Sequence, residues 1–88
     1  MSETFRSSWR HRVTSSEGYS VFLPARTQIE YRDRGQVLRI SYEAMATPSR
    51  ELVIYSDSLT VEEPVRSLVL DRVTRALEFD GWKPVLES

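Results

Sequence analysis

The sequence predicts an α+β domain: an antiparallel sheet of about four to six strands, one long C-terminal helix packed on one face, and a short final edge strand. Three observations carry this. Val61, Val65, Leu68, Val69, Val73, Ala76 and Leu77 recur at three- and four-residue steps, one face of a helical period. Upstream of them, short runs alternate apolar and polar residues between turn-forming segments. Downstream, Trp82, Pro84 and Leu86 alternate with Lys83 and Val85, and a strand holding a proline belongs at a sheet edge.

At 88 residues the chain makes one domain, 1–88, read as an N-terminal hairpin or arm over 1–25 and a core over 26–88. A chain of this size buries only a little over ~60 % of its unfolded surface, so single core positions matter. There is no cysteine and one histidine, His11, which removes disulfides, thiolate nucleophiles and cysteine-ligated zinc. No metal or other cofactor is implied. The first residues lack an apolar run, so they do not read as a secretory signal, and no stretch has the length and apolarity of a membrane span; the absence of cysteine is compatible with the cytoplasm and does not exclude export. The Arg- and Ser-rich start imitates a mitochondrial transit peptide, but Glu3 and Glu17 argue against that.

The net charge of −1 conceals an asymmetry. In residues 1–32, Arg6, Arg10, Arg12, Arg26 and Arg32 outnumber Glu3, Glu17 and Glu30, whereas residues 33–88 are acidic on balance. This polarity is milder than the basic footprint usual in nucleic-acid binders.

In chain order, Phe5, Trp9 and Val13 alternate with arginines and serines, the period of one strand. Thr14 to Gly18 is a turn by composition, and Tyr19, Val21 and Leu23 form a second strand ending at Pro24. Gln28–Arg32 and Val37–Tyr42 make the clearest hairpin. For Ile29, Tyr31, Leu38, Ile40 and Tyr42 to share one face, the connection must hold an even number of residues. Asp33-Arg34-Gly35-Gln36 meets that condition as a four-residue loop with Gly35 at positive φ, placing Tyr31 opposite Leu38 and Ile29 opposite Ile40. Thr47-Pro48-Ser49 then connects to Leu52-Val53-Ile54-Tyr55, whose unbroken apolar run reads as an interior strand covered on both faces. Thr60 and Glu63 fit a capping box, Pro64 falls in the first helical turn, and Gly81 sits where a left-handed closing residue is wanted.

The chemistry-bearing candidates are few. Arg72 falls inside the apolar stripe, either snorkelling to the sheet rim or forming a buried ion pair, with Glu43 as a partner. Arg6, Trp9, Arg10 and Arg12 interleave cations with an aromatic ring, as a single-stranded nucleic-acid surface does, and equally as a half-buried strand does. Asp57 lies in a Ser-Asp-Ser turn before the helix, and Glu62 and Glu63 suit the positive end of its dipole. A catalytic triad would have to recruit His11 from the basic strand, and no nucleophile elbow accompanies it, which points away from catalysis.

From Arg26 onward the order of features is similar to the immunity protein 74 family of bacterial polymorphic toxin systems. The matching pieces are Ile29-Glu30-Tyr31-Arg32-Asp33-Arg34-Gly35 running into Leu38-Arg39-Ile40 and Glu43, then Leu52-Val53-Ile54-Tyr55-Ser56-Asp57-Ser58-Leu59, the helix end Arg75-Ala76-Leu77-Glu78, and Gly81. Val61 stands in the region where that pattern carries a tryptophan, and residues 1–25 have no counterpart. The resemblance implies a small, non-enzymatic cytoplasmic protein that binds and blocks a cognate protein toxin. If the toxin is a nuclease, Asp57, Glu62 and Glu63 would oppose its basic active site. The alternatives are a nucleic-acid-binding accessory domain using Arg6, Trp9, Arg10 and Arg12, and a structural protein that self-associates through its edges, a homodimer included.

Overall fold

The computed structural model describes residues 3–8, 12–25, 27–45 and 50–87. Seven strands lie side by side in chain order: β1 (Phe5–Ser8), β2 (Arg12–Ser15), β3 (Tyr19–Ala25), β4 (Gln28–Asp33), β5 (Gln36–Ala44), β6 (Glu51–Tyr55) and β7 (Lys83–Glu87). One helix, α1 (Val65–Phe79), precedes β7. The sheet curls as a half-barrel, antiparallel through β6, while β7 runs parallel to β6. The expected architecture is present, with one strand more than expected and a mixed rather than purely antiparallel sheet. The parallel step follows from the helix, which carries the chain back along the sheet before β7 begins.

The additional strand comes from the N-terminus. Residues 5–13 do not form one strand; β1 folds back on β2, pairing Phe5 with Ser15 and Ser8 with Arg12. The connecting residues Trp9, Arg10 and His11 lie outside the described residues, as does the expected Thr47-Pro48-Ser49 connection. The turn at Gly18 leads into β3, where Tyr19 and Val21 are buried as the alternation requires.

The β4–β5 hairpin has the predicted register, Tyr31 opposite Leu38 and Ile29 opposite Ile40. Its loop is shorter than expected. Asp33 pairs with Gln36, leaving two connecting residues, Arg34 at φ 50° and Gly35 at φ 84°. Both left-handed angles define the type I′ turn that matches strand twist, and the even parity is preserved.

Inward side chains of the sheet (Val13, Tyr19, Val21, Ile29, Tyr31, Ile40, Tyr42, Leu52 and Ile54) meet Val69, Leu70, Val73, Ala76 and Leu77 of the helix in one core. The helical seam is therefore rotated from the one read in the sequence. Leu70 is buried, whereas Val65 and Leu68 are 46 % and 47 % exposed. Strand β6 is interior in the sheet order, but only Leu52 and Ile54 are buried; Tyr55 is 37 % exposed, so its outward face is uncovered.

The helix begins later than the periodicity suggests. Pro64 occupies the N-cap with no side-chain cap, and the Thr60–Glu63 capping box is not formed. Instead the Glu63 carboxylate accepts the backbone N–H of Ser67 at 2.7 Å and its hydroxyl at 2.5 Å. Those two bonds hold the Glu63 carboxyl below its usual range. At the other end Trp82 N–H donates to the Leu77 carbonyl and Gly81 N–H to that of Glu78, with Gly81 at φ 91°. This is a Schellman closure, and it confirms the left-handed role expected of Gly81.

Candidate functional site

Two kinds of polar arrangement are present: a network tying the helix to the sheet, and the uncovered outward face of the sheet. The network grows from the flank of α1. Arg72 Nη1 donates to the Tyr31 hydroxyl at 2.8 Å and to Asp33 Oδ2 at 3.1 Å, and Nη2 lies 3.7 Å from Glu17. The guanidinium stands over the Tyr19 ring, 4.6 Å from its centroid. Arg72 is thus anchored by an ion pair at the rim of the core, with a side chain only 16 % exposed. Glu43 is not its partner. One residue beyond the inward-facing Tyr42, Glu43 points to the opposite face and accepts the Tyr55 hydroxyl at 2.8 Å.

One turn on, Arg75 pairs with Asp71 at 3.0 Å and with the buried Glu3. Glu3 also accepts the hydroxyls of Ser15 and of Tyr19, the latter at 2.5 Å. Burial pushes the Glu3 carboxyl up, but the two hydroxyls together with Arg75 and Arg72 outweigh it and hold the carboxyl below its ordinary range. Burial and the same carboxylate push the Tyr19 phenol far up, so it stays a donor. Arg72 and Arg75 thereby tie α1 to Glu3, Glu17, Tyr31 and Asp33, the arrangement of a structural clamp. Nothing in the residue pattern marks Glu3 as a network member, because a carboxylate ahead of the first strand becomes a core group only once β1 folds back.

The acidic residues expected to face a partner surround the start of the helix. A 3₁₀ turn, Ser56–Ser58, follows β6, and its Asp57 is exposed but engaged by Arg66 at 3.3 Å. Arg66 also donates to the Leu59 carbonyl at 3.0 Å, closing the connection into α1. Glu62 and Glu63 are exposed on the same connection. Of the basic N-terminal candidates, Arg6 and Arg12 lie on the outward face of β1 and β2; Trp9 and Arg10 lie outside the described residues.

That outward face divides into two halves. Across β1–β5, one row runs Arg6, Thr14, Ser20, Arg32, Val37, and the next contains Ser8 and Arg12 followed by Phe22, Glu30 and Arg39. Across β5–β7, Glu43, Val53 and Val85 are neighbours, as are Tyr55 with Glu87 and Glu51 with Lys83. The first half is basic and the second apolar with an acidic rim. Of the basic half the sequence pointed only to Arg6 and Arg12; Arg32, Arg39 and the β5–β7 patch join the face from alternate residues of several strands.

No family model matches the chain, and neither does any curated protein or solved structure. Among the described residues no helix is long and apolar enough to cross a membrane, and no group of three or more His, Cys, Asp or Glu side chains could hold a metal ion.

Proposed function

We propose that this chain is a non-enzymatic, cytoplasmic protein-binding module of the immunity type, which neutralises a bacterial protein toxin. The observation that supports this reading best is the outward patch on β5–β7. Tyr55 and Val85, 37 % and 47 % exposed, lie with Val53 among Glu43, Glu51, Lys83 and Glu87, a rim acidic on balance, on a face that no other described residue covers. Aromatic and aliphatic side chains at the centre of a patch with charges at its edge are the usual anatomy of a protein interface. An acidic rim complements the basic active site of a nuclease, and Asp57, Glu62 and Glu63 extend the same sign along the connection leaving β6.

The test is a nuclease-treated pull-down from the source organism with the full chain and a Tyr55→Ala/Val85→Lys variant. Capture of one stoichiometric protein by the parent chain and its loss with the variant is the expected result. Capture that is indifferent to the variant removes the patch from the interface, and recovery of bait alone removes the proposed partner. With the partner in hand, charge reversal at Asp57, Glu62 and Glu63 is expected to slow association about tenfold or more at low salt.

A further inference from the structure

We propose that the other half of the outward face, on β1–β5, binds single-stranded nucleic acid. The protein-binding reading of β5–β7 neither requires nor supplies this. Four arginines project from this half: Arg6 on β1, Arg12 on β2, Arg32 on β4 and Arg39 on β5, set in two adjacent cross-strand rows. The one acidic side chain in those rows, Glu30, is buried and neutralised by Arg32, which donates to it at 3.0 and 3.1 Å. The face therefore carries a net positive charge although the whole chain is at −1.

The spacing suits a phosphate backbone. Strands lie ~4.8 Å apart and alternate residues ~6.7 Å along a strand, so the four guanidinium positions span roughly 19 Å across five strands. That is enough for a few nucleotides of extended strand, the lower end of the site sizes of sheet-based single-strand binders. In the middle of the second row the Arg12 guanidinium lies over the Phe22 ring, 4.5 Å from its centroid. A guanidinium held on a ring offers a base a flat cationic surface to stack on. Past Arg6 the face opens into a cleft of about 480 Å³ lined by Thr4, Phe5, Arg6, Thr14, Ser15 and Ser16, which continues the track with hydroxyl groups. A duplex keeps its bases inside grooves that a broad sheet cannot enter, which favours the single strand. An acidic polypeptide would match the charge but leave the Arg12–Phe22 stack unused.

The experiment is fluorescence anisotropy of the full chain with a labelled oligothymidylate of roughly 12 nucleotides. Single strands lose ~0.7 in log–log salt slope per phosphate contacted; with Arg32 held by Glu30, contacts from Arg6, Arg12 and Arg39 predict a slope of about −2 and roughly twenty-fold weaker binding between 50 and 200 mM salt. Arg6→Glu/Arg39→Glu, two exposed changes, should weaken binding more than tenfold and reduce the slope by about two thirds, with an unchanged circular dichroism spectrum. Arg12→Lys keeps the charge and removes the flat surface; it should weaken binding several-fold at unchanged slope. The proposal is overturned by absence of binding at 50 mM salt, by indifference to the double variant, or by Arg12→Lys behaving as the parent. Equal affinity for polyglutamate would reassign the face to acidic protein, and equal affinity for a duplex would remove the single-strand assignment.

Discussion

Arg72 and Glu3 show how much of this domain depends on two charges at the edge of its core. Arg72 sits beside, not within, the buried seam, and its ion pair with Asp33 and its bond to Tyr31 join α1 to β4. Arg72→Met would remove the cation from Asp33, which keeps the Tyr31 hydroxyl as a donor at 3.2 Å, and would leave that hydroxyl oxygen without the guanidinium it accepts from. We expect a loss of about 2 kcal/mol in urea denaturation, whereas a snorkelling arginine would give no loss. Glu3 gives a pH signature whose sign is fixed by its environment. Its carboxyl is held below the ordinary value of 4.5, so the native state favours the charged form. Its contribution to stability is therefore fully present above that value and disappears as pH falls through the lower native-state value. Glu3→Gln should flatten part of the acid limb of the stability–pH curve; an acid limb identical to the parent's would show that Glu3 is not held as described.

At the scale of elements, the β4–β5 turn and the helical seam mark where pattern reading succeeds and where it stops. Register was legible because a slip of one residue would expose Ile29, Tyr31, Leu38 and Ile40 together. Loop length was not, because two and four residues satisfy the same parity. Arg34 holds a left-handed angle that favours Asn or Gly, so Arg34→Asn should stabilise by about 0.5–1 kcal/mol without altering the register. The seam was misjudged for a related reason. Val65, Leu68, Val69, Leu70 and Val73 supply two adjacent apolar stripes, and only the curved sheet decides which is covered. Leu70→Ala should cost roughly 2–3 kcal/mol and Leu68→Ala less than ~0.5 kcal/mol; thermal unfolding of both variants checks the assignment. Glu63, expected to reciprocate Thr60, caps Ser67 instead, a choice among local partners that spacing alone does not resolve.

For the whole molecule, the curl of the sheet decides what is available for function. Its concave side is filled by one helix, and its convex side presents a basic half on β1–β5 and an apolar half with acidic groups on β5–β7. The charge asymmetry between the two ends of the sequence foreshadowed this division. Folding sharpens it by adding Arg39 to the basic side and by gathering Glu43, Glu51 and Glu87 on the other. The composition of these surfaces escaped the linear reading because neighbours on the face lie many residues apart in the chain. At the β7 edge Pro84 removes one donor and Lys83 and Glu87 place charges at the strand ends, features that discourage edge-to-edge pairing.

The central claim is that the β5–β7 patch neutralises a protein toxin, and growth rescue tests it most directly. The protein captured by the parent chain would be expressed in a bacterial host with either the parent or Tyr55→Ala/Val85→Lys, and growth recorded. The account predicts arrest by the partner alone, recovery with the parent chain, and continued arrest with the variant. Failure of the parent chain to restore growth, or equal rescue by the variant, would contradict it.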